Sequence, residues 1–179
     1  MDLVLRLEQN GSHSLVLDGQ ALTCAIGTGG IRQEKREGDG ATPVGHFPFR
    51  RIFYRADRLP QPVGCPDAIP ITADHGWSDD PADPTRYNRL VTLPYPHSHE
   101  RLMRADAVYD VIVELGYNDA PPVPSHGSAI FMHVARPDYS GTEGCIALAL
   151  ADLLRILERT AGSGAVIVPA GLAGKTGPS

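Results

Sequence analysis

Three residues late in the chain have the types and spacing for covalent chemistry: His133, Gly144 and Cys145, with 12 positions from imidazole to thiol. A thiol becomes a useful nucleophile when a neighbouring imidazole, a helix N-terminus or backbone amides favour its thiolate. Cys145 stands behind a glycine and a few residues ahead of a helical pattern. Gly144 lets the chain turn tightly there and bring backbone amides towards a bound carbonyl. Such amides would stabilise an oxyanion, an effect of roughly 3 to 4 kcal/mol per donor. His133 would take the thiol proton and return it to a leaving amine. Its other ring nitrogen needs a fixing partner, and the carbonyl of Val134 is as good a candidate as any carboxylate. Taken singly, His133 also reads as a satisfied core histidine and Cys145 as a buried small hydrophobe; together with Gly144 they favour chemistry.

The elements that must hold this pair follow from hydropathy. Ser128 to Val134 reads as a strand carrying His133. Ala149 to Thr160 places Leu150, Leu153, Leu154 and Leu157 at helical spacing, with Arg155 and Arg159 towards the end the helix dipole prefers. Upstream, Leu3, Leu5 and Leu7 alternate with polar or exposed positions, and the pattern resumes at Leu15 and Leu17 after Asn10-Gly11, which predicts a hairpin. Leu22, Cys24 and Ile26 share one face of a third strand. His46 to Tyr54 reads as a strand near a sheet edge because Pro48 cannot donate to a ladder. Tyr109 to Leu115 and Ala165 to Val168 read as buried strands, and Ser98 to Ala107 as a short helix capped by Ser98.

Two stretches resist regular structure. Arg55 to Pro96 is broken repeatedly by proline and reads as a long functional or mobile loop. Asp79 and Asp80 within it read as structural: adjacent residues of an extended chain point to opposite sides, which argues against a working pair. The glycine-rich, mixed-charge stretch from Gly27 to Gly45 reads either as a solvated surface loop or as a substrate-side loop whose Arg32, Lys35 and Arg36 offer cations to carboxylates.

Composition bounds the function. With 19 glycines and 16 prolines in 179 residues, short elements and a β-rich or mixed fold are expected. The expected organisation is one domain over residues 1–170 with a frayed tail over 171–179. A net charge of −5 gives no basic surface for nucleic acid. No apolar run is long enough to span a membrane. Cys24, Cys65 and Cys145 are too few and scattered for a disulfide framework or a zinc site, and His97 and His99 lack a third ligand at a recognisable spacing, so no metal is expected.

His133 followed by Thr142-Glu143-Gly144-Cys145 resembles the signature of the L,D-transpeptidase (YkuD-like) catalytic domain, a strand histidine followed by [S/T]-H-G-C. Lys35, Gly38, Asp39, Thr42, Pro43, Gly45 and Phe47 match that family's upstream K-x-x-G-D-x-x-T-P-x-G-x-F pattern. The resemblance runs from about Gly29 to Leu154. It implies a mainly β fold with a few short helices, a β-sandwich with a helix following the catalytic cysteine. It also implies acyl transfer on peptidoglycan stem peptides without cofactor. Cys145 would attack the carbonyl of the diamino acid at stem position three, expel the terminal D-alanine and hold a thioester. An amine of a second stem would then take the acyl group to give a 3→3 cross-link. The amides of Gly144 and Cys145 would bind the oxyanion.

The chain departs from the pattern in three places. Glu143 replaces the second histidine, Ala147 replaces a common arginine, and the loop from His133 to Cys145 is short. Carboxylate binding therefore falls to Arg136 or Arg32, with Thr142 and Lys35 as further substrate contacts. The resemblance leaves open a hydrolase, in which water resolves the thioester, and a catalytically silent peptidoglycan-binding module. It implies the periplasm or cell envelope, although no export signal is visible in this sequence, so a cytoplasmic site stays open.

Overall fold

The alternating and apolar runs form short strands because each buries one or both faces, and the turn signals break them where expected. A computed structural model describes residues 1–174. In chain order the strands are β1 (Asp2–Leu7), β2 (His13–Leu17), β3 (Gln20–Ala25), β4 (Ile31–Arg32), β5 (Thr42–Pro43), β6 (Gly45–Tyr54), β7 (Ile69–Pro70), β8 (His75–Ser78), β9 (Arg89–Thr92), β10 (His99–Arg101), β11 (Val111–Leu115), β12 (Phe131–Val134) and β13 (Ile146–Leu148). The helix α1 (Leu150–Thr160), the strand β14 (Ala165–Val168) and a 3-10 turn at Ala170–Leu172 follow.

The main sheet runs β11-β12-β13-β3-β2-β1-β14-β6-β7, and β6 also pairs with β11. That second pairing closes the sheet on itself into a barrel, which corrects the expected β-sandwich. The physical reason lies in β6. Its first residues pair with β14, Gly45 opposite Val168 and Pro48 opposite Ala165, while Phe49 to Tyr54 pair with β11. One ten-residue strand thus serves two neighbours, and no edge is left there. The expected edge position is corrected on the same ground: Pro48 sits where the strand changes partners, a place that tolerates a missing donor.

Further expectations change. His99–Arg101 is a strand paired with β8, not a helix; Glu100 lies opposite Trp77. The proline-rich stretch is not structureless, since β8, β9 and β10 form a three-stranded sheet. Among the described residues α1 is the one α-helix, beside the single 3-10 turn. The tail expected from residue 171 overlaps that turn, and residues 175–179 lie outside the described residues. Cys24, Cys65 and Cys145 are free thiols.

Two apolar clusters divide the interior. The larger joins barrel residues such as Leu3, Leu15, Val113, Met132, Val134 and Val166 to Leu153, Ile156 and Leu157 of α1. Asp152 in the first turn of α1 and Arg159 in the last suit its dipole. The smaller cluster, with Phe53, Trp77, Leu102, Tyr109, Ile112, Phe131 and Cys145, lies where the three-stranded sheet meets β11 and β12. Strand periodicity assigns each side chain to its side. Met132 and Val134 face the larger cluster, so Phe131 and His133 face the smaller one.

Asn88 pins the small sheet to the barrel. It accepts from Trp77 Nε1 and the Ala129 amide, both at 3.0 Å, and donates to the carbonyls of Tyr117 and Asn118 at 3.0 and 2.8 Å. Its φ of 54° is a left-handed conformation that asparagine tolerates well. Asn88→Ala orphans these partners and is expected to lower stability by about 3 kcal/mol, read from the urea midpoint.

Candidate active site

The turn that carries Cys145 is built by two crossing loops. The Thr28 amide donates to Thr142 O at 2.8 Å and the Thr142 amide to Ile26 O at 2.9 Å, so the glycine-rich stretch runs beside the Thr142–Cys145 turn. Thr42 is fully buried; its Oγ1 accepts the Gly27 amide and donates to Gly144 O, both at 2.9 Å. Thr142 Oγ1 accepts the Gly144 amide at 3.2 Å and donates to Cys145 O at 2.6 Å. Gly144 has φ 129°, and a Cβ there would lie 2.7 Å from Ala41 O. The glycine is required by both conformation and space.

Lys35 braces the opposite loop. Its Nζ pairs with Asp39 Oδ1 at 2.8 Å and is buried, while the Asp39 carboxylate also accepts the amides of Arg36 and Ala41 at 2.8 Å each. Ala41 is thereby fixed against Gly144.

Cys145 and His133 line one cavity of about 690 Å³. The Cys145 thiol donates to Ala129 O at 3.1 Å and accepts the Phe131 amide at 3.4 Å. Burial pushes it up to about 12, helped by the fields of Glu100 and Glu143 and opposed by the Phe131 amide and Lys35. The His133 Nδ1 meets Val134 O at 2.9 Å, which leaves Nε2 as the nitrogen for chemistry. Tyr109 stands edge-on to the imidazole with centroids 5.4 Å apart. Burial holds His133 down to about 4, and Arg104 and Arg136 act in the same direction. The resting pair is a neutral thiol and a neutral imidazole.

The other residues singled out in the sequence separate. Thr142 lines the cavity and its hydroxyl is committed to the turn. Arg136 is exposed on the cavity lining and forms no ion pair among the described residues. Lys35 is a buried brace rather than a free cation. Arg32 opens onto a second cavity with His13 and Tyr139, which shares only Thr28 and Gly141 with the first. The Gly144 amide is taken by Thr142, whereas the Cys145 amide has no acceptor among the described residues.

Sequence reasoning missed Asp79, Glu100, Arg104 and Tyr109, all of which line the cavity. The alternation of Asp79 and Asp80 held the signal. Asp80 accepts the amides of Ala82 and Ser98 as a turn residue does, while Asp79 lines the cavity.

A family model, the L,D-transpeptidase catalytic domain YkuD, matches residues 6–168. The chain belongs to this family. No individual curated protein matches it. The matched span runs from the end of β1 through β14 and contains both crossing loops and every cavity residue.

Two expectations follow from this geometry. Gly144→Ala forces a side chain against Ala41 O and should cost about 2 kcal/mol of stability, with Cys145 alkylation altered at unchanged solvent conditions. The pH dependence carries a definite sign. His133 is held below its unfolded value of 6.5, so the unfolded chain binds the extra proton between pH 6.5 and about 4. Stability should fall as pH is lowered through that window, and a His133→Gln variant should lose that part of the slope in thermal melts.

Proposed function

We propose that the protein is a cysteine acyltransferase acting on peptidoglycan stem peptides, an L,D-transpeptidase in activity as well as in family. The observation that carries this reading is the Cys145 thiol and the His133 imidazole on one cavity, inside a domain of that family. A neutral imidazole on the same cavity as a neutral thiol can serve as its base, because the proton moves as the sulfur attacks.

In the proposed sequence, the thiol turns from Ala129 O towards His133 Nε2. Cys145 Sγ bonds to the donor carbonyl as Nε2 takes the proton. The Cys145 amide, which has no other acceptor among the described residues, receives the oxyanion; Gly144 supplies the turn rather than the donor. Collapse breaks the C–N bond, and the imidazolium returns its proton to the departing D-alanine amine. An amine of a second stem then attacks the thioester carbonyl as His133 accepts its proton; the C–S bond breaks, and the imidazolium returns that proton to Cys145 Sγ. Arg136, on the cavity lining and without an ion pair among the described residues, is the candidate for a substrate carboxylate. On this reading the protein acts at the cell wall. Among the described residues no helix is long and apolar enough to cross a membrane.

Incubation with a carbapenem tests the nucleophile. Intact mass should show one covalent adduct on the unmutated protein and none on Cys145→Ala, and no adduct on either would count against the proposal. With stem tetrapeptides, a cross-linked dimer or D-amino-acid exchange supports transfer. Loss of the terminal residue alone would reassign the protein as a hydrolase on the same fold.

A further inference from the structure

The cavity carries more negative charge near Cys145 than the protein neutralises. Asp79 follows β8, Glu100 lies in β10 and Glu143 precedes Gly144, and all three line it. Its cations are Arg104 and Arg136. Arg104 is largely committed elsewhere: it grips Asp106 at 2.8 and 2.7 Å and approaches Glu100 only at 3.7 Å.

Glu100 is held in place without being neutralised. Tyr109 donates its hydroxyl to Glu100 Oε1 at 2.7 Å, and Oε2 has no hydrogen bond among the described residues. Tyr109 is itself fixed, edge-on to His133 and with the Arg104 guanidinium 5.2 Å from its ring centre. Nearby, Asp79 Oδ1 is buried and has no hydrogen-bond partner among the described residues. A carboxylate oxygen withdrawn from water and left unpaired, as Asp79 Oδ1 is, is costly, and a ligand ammonium offsets that cost where a neutral group does not; Glu100, its side chain 31% exposed, lines the same cavity.

We propose that Glu100 is the specificity-determining residue of this cavity, receiving a positively charged amine of the substrate beside Cys145, so that amine-bearing peptides are selected over uncharged ones. This rests on the acyl-transfer reading for the role of Cys145. The groups facing Glu100 are Tyr109, Arg104, Asp79 and, from the turn before β13, Glu143 and Cys145. Their balance is negative. Burial holds the thiol in its protonated form and the fields of Glu100 and Glu143 add to it; a seated ammonium counters those fields. The nucleophile is thereby favoured when the correct substrate is present.

Binding isolates the proposal from turnover. Calorimetry on the Cys145→Ala protein would use an N-terminally blocked stem tetrapeptide with its diamino-acid side-chain amine free, and the same peptide acetylated at that amine. The free amine should bind about tenfold more tightly. Adding Glu100→Gln, which still accepts the Tyr109 hydroxyl, should bring the ratio to about one, and Glu100→Asp should retain a preference. Equal affinities, no measurable binding of either peptide, or a preference that survives Glu100→Gln would overturn the proposal. In the otherwise unmutated protein, Glu100→Gln should also move the iodoacetamide alkylation midpoint of Cys145 to lower pH; an unmoved midpoint would overturn the link to the nucleophile. A preserved amine preference with no carbapenem adduct would refute acyl transfer and leave the amine site standing.

Discussion

Thr42 Oγ1 takes the Gly27 amide proton and gives its own to Gly144 O, and the chain around Cys145 is held by that exchange. Thr142 does the same one step on, between the Gly144 amide and Cys145 O. Each hydroxyl is a single donor and is used both ways, so neither bond can be lost without orphaning a buried group. The clamp works only because glycine occupies both sides. A Cβ on Gly27 would lie 2.9 Å from Gly144 Cα, and one on Gly144 would strike Ala41 O. The Lys35–Asp39 pair then explains why Ala41 is where it is, which extends the constraint to the far end of the glycine-rich loop.

The clamp fixes position, and burial fixes charge. Because His133 and Phe131 share one face of β12, the imidazole enters an apolar layer beneath Trp77 and Tyr109 instead of meeting solvent. Desolvation then disfavours the charged form of both groups, thiolate and imidazolium alike. A thiolate–imidazolium pair at rest is the arrangement this site opposes, and the proposed reaction therefore couples proton transfer to attack. The Phe131 amide on the sulfur is a fixed dipole that favours the thiolate without adding a titrating group.

Much of this was legible in the chain. Period-2 alternation marked β1, β2 and β3, an apolar run marked β12, which is buried on both faces, and the leucine spacing marked α1, because those segments carry their pattern locally. The closed barrel was not legible: it depends on β6 pairing with both β14 and β11, a long-range fact that no local pattern in Gly45–Tyr54 encodes. The strand at His99–Arg101 was misread as a helix for the same reason, since three residues paired to β8 have no periodicity of their own. At the site, His133, Gly144 and Cys145 were visible as a motif. Glu100 and Tyr109 were hidden because each reaches the cavity from a separate element, and Lys35 misled because its partner Asp39, four residues on, consumes its charge.

The departures from the family pattern fit one another once the neighbours are known. Ala147 pairs with His133 on β12 and with Ala25 on β3, and it is 1% exposed, so an arginine there would begin from a crowded central strand. A guanidinium beside the imidazole would also depress it further, as Arg104 and Arg136 already do from outside the sheet. The small side chain keeps the strand close-packed, and positive charge is supplied from Arg104 after β10 and Arg136 after β12. Glu143 completes that rearrangement. With an acid in place of the second histidine, the turn beside the nucleophile joins Asp79 and Glu100 in a negative wall, and the cavity is polarised between carboxylates and guanidiniums. A substrate carrying both an amine and a carboxylate satisfies the two sets together, whereas a singly charged or neutral peptide leaves one set unpaired.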